Sequence, residues 1–191
     1  MNITLSNQIL DAIDTSVIQN VPATHQEYFH MRSGQEHYRM LIHLGQQFNN
    51  EELIDLGTYR GSSALALAQN KNNKVFSLDI LNDRESDIGM QNVEFYIGQV
   101  FTDADIQARL LKSQFIFLDI DHRYTNEIWV YDFLALNNWT GLLVCDDIHL
   151  NAQMKQFWNE ISHPKMDLTK YGHWSGTGAI LFSSNFTIDH E

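Results

Sequence analysis

The chain has 191 residues, 43% of them hydrophobic, enough for one domain with a sizeable core. Its formal net charge of −12, with no Lys/Arg cluster, argues against a phosphate-backbone partner and so against a nucleic-acid protein. No apolar stretch approaches bilayer length, so no membrane partner is expected, and Met1–Gln8 carries neither the basic segment nor the apolar run of a signal peptide. The single cysteine, Cys145, lies inside an apolar run and reads as a buried thiol; together these features point to the cytoplasm.

The N-terminal region reads as helical. Leu5, Ile9, Ala12, Ile13 and Val17 have helical spacing and predict an amphipathic helix over 5–19. Val21-Pro22-Ala23-Thr24 is a break, and 33–48 predicts a second helix with an apolar face of Tyr38, Leu41, Ile42 and Leu44. Residues 1–50 are therefore expected to cap a main domain over 51–191, the two forming one structural unit.

From Glu51 onward, short apolar runs at 53–56, 75–80, 93–97, 115–120 and 142–145 alternate with helical patterns at 62–70, 103–112, 124–138 and 149–162. That alternation implies a parallel sheet covered on both faces. The end differs: Asp167–Tyr171 and Ala179–Phe182 read as two strands with no helix between, an antiparallel hairpin. Trp129, Tyr131, Phe133 and Trp139 read as core, while His173 and Trp174 are placed to line a pocket.

The first βα joint is the most informative. Asp55-Leu-Gly57-Thr58-Tyr59-Arg-Gly61-Ser-Ser63 ends an apolar run and opens an alanine-rich helix. Gly57 and Gly61 allow close backbone approach to a ligand, Ser62 or Ser63 is expected to cap the helix, and the exposed amides attract anionic oxygens. The plainer reading is a packing turn. The second strand ends in Asp79, 22 positions after Gly57, where a carboxylate can accept ribose hydroxyls. The fourth and fifth strands end in Asp119-Ile-Asp121-His122 and Asp146-Asp147-Ile-His149. Up to four carboxylates there would raise each other's pKa or require a cation, Mg2+ before Ca2+ or Mn2+. One of Asp146 and Asp147 is alternatively the cap of the next helix.

The glycine spacing departs from G-x-G-x-x-G and resembles the first motif of class I S-adenosylmethionine-dependent methyltransferases. The alternation over 51–183 with its final hairpin is similar to that fold: a Rossmann-like, mostly parallel seven-stranded sheet. Asp119-Ile-Asp121-His122 with Asp146-Asp147 resembles the metal-dependent branch of macrocin and other antibiotic-sugar O-methyltransferases and cephalosporin-hydroxylase-like proteins. The resemblance implies a cofactor site at Asp55, Gly57, Thr58, Tyr59, Gly61, Ser63 and Asp79, with Ile80, Gln99 and Val100 at the adenine. Many relatives carry an Asp near Gln99, and this chain does not. It implies Asp119, Asp146 and Asp147 as ligands of Mg2+ or another divalent cation, Asp121 as general base, and His122 as an assisting group or base. The implied substrate is a hydroxyl on a small molecule or sugar. Metal-independent methyl transfer and a cofactor-binding protein without methyl transfer stay open, and a homo-oligomer is compatible with the sequence.

Overall fold

The computed structural model describes residues 1–29, 31–85 and 88–190. Seven strands form the central sheet: β2 (Glu52–Leu56), β3 (Lys74–Asp79), β4 (Val93–Ile97), β5 (Phe115–Leu118), β6 (Leu142–Asp146), β7 (Lys165–Asp167) and β8 (Thr177–Leu181). Their spatial order is β4-β3-β2-β5-β6-β8-β7, and only the pairings of β8 with β6 and β7 are antiparallel. The chain runs outward from β2 through β3 to β4, then returns to β5 on the other side of β2. That reversal between β2 and β5 is a topological switch point, where a crevice opens beyond the strand ends.

Alternate residues of each strand feed two cores. Leu53, Val75, Phe115, Phe117, Leu142 and Val144 pack beneath α2 (Arg32–Gln46) and α3 (Ser62–Leu67). Ile54, Phe76, Ile116, Leu118, Leu143 and Cys145 face α4 (Ala104–Lys112), α5 (Tyr124–Leu136) and α6 (Ala152–Glu160). Both faces of the central strands are buried, which is why they read as continuous apolar runs rather than alternating ones. Cys145 is fully buried, as expected, and Trp139 is fixed by its indole N–H donating to Ser113 O at 2.7 Å.

The chain start departs from the helix expected over 5–19. Asn2–Leu5 is strand β1, α1 spans only Asn7–Asp11, and Thr15–Val17 is a single 3-10 turn. β1 pairs in parallel with β9 (Thr187–His190), which the sequence reading did not include. Ile3 and Leu5 alternate inward and are fully buried, so the pattern is that of a strand whose partner lies more than 180 residues away. The last hairpin forms, but β7 begins at Lys165 rather than Asp167, and 168–176 is loop. Ser62 and Ser63 do not cap α3. The cap is Gly61, in the left-handed region at φ 93°, and both serines sit inside the first turn. No helix among the described residues is long and apolar enough to cross a membrane.

Candidate active site

Four strand tips converge at the switch point. A cleft of about 460 Å³ opens there, walled by Leu56, Gly57 and Tyr59 at the end of β2, by Leu78 to Leu81 and Asp83 at the end of β3, by Gly98 to Phe101 after β4, and by Asp119 to His122 and Asn126 beyond β5. Most of its lining surface is apolar, and the carboxylates of Asp79, Asp83, Asp119 and Asp121 line it too, the usual character of a small-molecule site.

Gly57 closes the floor. Its φ is 99°, and a Cβ there would overlap the Asp119 carbonyl, so no side chain is compatible with this approach of β2 to β5. Tyr59 follows in the left-handed region at φ 42°, an uncommon conformation for a bulky residue. The turn aims its N–H at Asp79, which accepts it at Oδ2 at 2.7 Å. Asp79 Oδ1 accepts from Ile80 N at 2.7 Å and Leu81 N at 3.2 Å. The β3-tip carboxylate is thus pinned by three backbone amides, with acceptor capacity left at Oδ2.

Of the ten residues expected at a cofactor, Gly57, Tyr59, Asp79, Ile80, Gln99 and Val100 line this cleft. Asp55, Thr58, Gly61 and Ser63 do not. Asp55 projects to the α3 face of the sheet, two residues on from Leu53, and is wholly inaccessible. It accepts from Ser77 Oγ at 2.5 Å, and Ser77 Oγ lies 2.6 Å from Thr58 Oγ1. Burial pushes its pKa up to about 7, against the opposing hydrogen bonds. These residues hold the loop from beneath.

Beyond β5 and β6 the carboxylates gather with imidazoles. His122 Nε2 lies 3.0 Å from Asp119 Oδ1 and 2.9 Å from Asp147 Oδ2. Those two carboxylates push its pKa up to about 10. His173 Nδ1 lies 3.2 Å from Asp147 Oδ1 and 3.6 Å from Asp146 Oδ2. Ser175 Oγ bonds Asp147 as well. For Asp147, burial raises the pKa, but hydrogen bonds from His122, His173 and Ser175 outweigh it and hold the carboxyl well below the usual range. Asp146 is buried beside Asp119 and Asp147, and its pKa is raised well above normal. His122 and Asp147 both take left-handed φ, 56° and 57°. Backbone strain at both strand tips, about 1–3 kcal/mol per residue, is typical of built sites.

The helix after β6 starts from Asn151, whose Oδ1 accepts Met154 N at 2.9 Å, so neither Asp146 nor Asp147 is its cap. Both stay with the cluster. Asp119, His122 and Asp147 offer ligand atoms within 4.8 Å of one another, as do Asp146, Asp147 and His173. This donor set fits a divalent cation. Asp121 is apart from it, on the cleft wall, where Asn126 Nδ2 donates to its Oδ2 at 2.8 Å. His149 pairs instead with Asp167 at 2.7 Å.

Three contributors escaped the sequence reading. Glu127, on α5, is buried and accepts the His122 N–H at 3.3 Å, bracing the strained turn; burial pushes its pKa up to about 8. Its spacing with Val130, Tyr131 and Leu134 puts a carboxylate on an apolar stripe, a legible anomaly. His37 shares a stripe with Met40, Leu41 and Leu44 in the same way and is buried against the cluster. Ser175 carried no such signal.

No protein-family model and no curated protein matches the sequence. Solved structures do match in fold. The SAH-bound Podospora anserina methyltransferase PaMTH1 is 13% identical, with a TM-score of 0.53 over 93% of this chain and 96% of that one. An O-methyltransferase from Bacillus cereus in complex with SAH is 16% identical, with a TM-score of 0.50 over 87% and 94%. Cofactor-bound Rv0187 from MTB is 15% identical, with a TM-score of 0.53 over 77% and 80%. The chain has the class I methyltransferase fold, with its mostly parallel seven-stranded sheet and terminal antiparallel hairpin.

Proposed function

We propose that this chain is an S-adenosylmethionine-dependent O-methyltransferase acting on a hydroxyl of a small molecule or sugar, with a divalent cation, Mg2+ or a similar ion, at Asp119, Asp146 and Asp147. One observation carries the reading: the apolar cleft and the carboxylate–imidazole cluster meet at Asp119 and His122, which belong to both. Cofactor and acceptor would therefore share a wall. The structurally similar methyltransferases support the cofactor class through their fold.

In this reading Gly57, Tyr59, Asp79, Ile80, Gln99 and Val100 contact the cofactor, Asp79 accepting ribose hydroxyls. Asp55, Thr58, Gly61 and Ser63 shape the loop that does so. The cation, when bound, would acidify the acceptor hydroxyl and orient it. Asp121, on the cleft wall and steadied by Asn126, accepts the hydroxyl proton, with His122 assisting. Walls fixed on four strands hold the reactants in line, which supplies much of the acceleration. Residues 1–50 act as a cap on the catalytic unit of 51–191, and the cytoplasm is the proposed location.

A second reading has its own observation. A protonated His122 between Asp119 and Asp147 neutralises charge there without a cation, which favours metal-independent transfer. Calorimetric titration with S-adenosylmethionine and with NAD, before and after EDTA treatment, separates these readings. The proposal expects S-adenosylmethionine to bind more tightly and calorimetric heat from Mg2+ on the stripped chain. Tighter NAD binding defeats the cofactor assignment, and full turnover in EDTA of any acceptor found leaves the metal-independent route.

A further inference from the structure

Two neighbouring imidazoles that the carboxylate reading leaves out lie against this pair of carboxylates, Asp146 and Asp147, His173 at both and His37 at Asp146. His173, in the β7–β8 loop, presents Nδ1 to both carboxylates, at 3.2 Å and 3.6 Å. His37, on α2, presents Nδ1 to Asp146 Oδ1 at 4.0 Å. Its residue is only 7% exposed, and that nitrogen has no hydrogen-bond partner among the described residues. The ring is walled by Tyr38, Phe117 and His173, with centroids 5.0, 5.8 and 5.5 Å away. An imidazole nitrogen shut away from water and left unpaired is costly, and its lone pair calls for an occupant on the side where Asp146 lies.

We infer that Asp146, Asp147 and His173 bind a transition-metal dication of the cobalt or zinc class in preference to Mg2+, with His37, which faces Asp146 from outside that group of mutually close donors, drawing in as a fourth. The inference rests on the cation reading above and adds two nitrogen donors to Asp146 and Asp147. Mg2+ favours an all-oxygen octahedron and keeps much of its water, whereas neutral imidazole suits the later first-row ions. The donors come from three separate elements, α2, the β6 tip and the β7–β8 loop, so an ion here would tie α2 to the sheet. One supporting bond is in place, Thr177 Oγ1 donating to Asp146 Oδ1 at 3.4 Å; Ser175 Oγ, 2.6 Å from His173 Nδ1, would give up that nitrogen to the ion and keep its bond to Asp147. The tautomer with its proton on Nε2 gives each Nδ1 a lone pair for the ion.

The test uses the full chain stripped with EDTA. Co2+ is titrated by its visible absorption and then challenged with Mg2+, in the wild type and in His173→Gln and His37→Gln. Co2+ should survive a large excess of Mg2+. The expected losses in Co2+ affinity are at least roughly 100-fold for His173→Gln and at least about 10-fold for His37→Gln, since losing a ligand should cost no less than the roughly 10- to 100-fold that losing a supporting partner costs. Pulsed electron paramagnetic resonance of the Mn2+-loaded wild type should show nitrogen modulation from coordinated imidazole, a readout that needs no variant to fold. Absent nitrogen modulation, or Co2+ affinity unchanged in both variants, overturns the histidine ligation. If Mg2+ binds as tightly as Co2+ and neither variant matters, this inference falls and the carboxylate-only site stands. If no dication binds the wild type, both fall, while the S-adenosylmethionine titration still decides the cofactor.

Discussion

Ser77 and Asp55 are direct partners across β2 and β3, and the serine hydroxyl donates to the buried carboxyl at 2.5 Å. The bond places an ionisable group under the loop between β2 and α3 with no access to water. Burial dominates its titration, lifting the pKa from 3.8 to about 7 in the folded chain. The folded state therefore holds this proton more tightly than the unfolded one. Its contribution to stability is complete below 3.8 and is lost as pH rises through about 7. Thermal melts should show falling stability across that window. Asp55→Asn, which keeps an acceptor for Ser77, should flatten the slope, removing up to about 4 kcal/mol of the loss accumulated across the window. A slope identical to wild type would mean that Asp55 is not the group responsible.

Gly57→Ala tests the contact between β2 and β5. The new methyl group meets backbone, the Asp119 carbonyl, at a position with φ 99°, so no side-chain rearrangement relieves it. The conformational strain alone is about 1–3 kcal/mol. The variant should lower the melting temperature and also weaken ligand binding, because relief of the clash moves the Asp119 strand tip away from the cleft. Normal melting with normal S-adenosylmethionine affinity would show that the close approach is not needed.

The sequence made the sheet legible because its central strands are buried on both faces and end in Gly or Asp. Those endings also marked the cleft: Gly57, Asp79 and Asp119 all lie on its wall. The β1–β9 pair stayed hidden because its register joins Ile3 to Ile188, and no local period reports so distant a partner. The same holds for the imidazoles. His37 meets Asp146 only after α2 docks on the sheet, and His173 reaches Asp147 only through the loop that precedes β8. Asp55 shows the limit of motif reasoning: its place two residues before Gly57 was legible, but the β pleat turns it beneath the loop rather than into the cleft.

Asp79→Ala should reduce S-adenosylmethionine affinity without unfolding the chain. The carboxylate accepts Tyr59, Ile80 and Leu81 amides, so its loss frees the loop that carries Tyr59 and, on the proposed reading, removes a ribose acceptor. Hydrogen bonds to a charged group contribute roughly 1.5–3 kcal/mol each, which corresponds to a loss of at least tenfold. Asp79→Asn, able to accept but uncharged, should fall between the two. Calorimetry on folded protein reads the series, and equal affinity across all three would assign Asp79 to the turn alone.

Asp121→Asn separates proton transfer from binding. Asp121 lines the cleft but lies outside both groups of candidate ligands. Its side chain is 41% exposed, so the amide adds no buried unpaired group. Asn126 Nδ2 donates to its Oδ2, and the Asn amide oxygen can accept that bond in turn. The variant should keep wild-type melting, S-adenosylmethionine affinity and dication affinity. With an identified acceptor, methyl transfer should drop by roughly 10²–10⁴-fold, the usual contribution of a positioned general base, with KM little changed. His122→Gln should behave differently. His122 is the link between Asp119 and Asp147, at 3.0 and 2.9 Å, so its loss should alter dication affinity as well as rate. Wild-type turnover in Asp121→Asn combined with a rate loss in His122→Gln would move the base from Asp121 to His122.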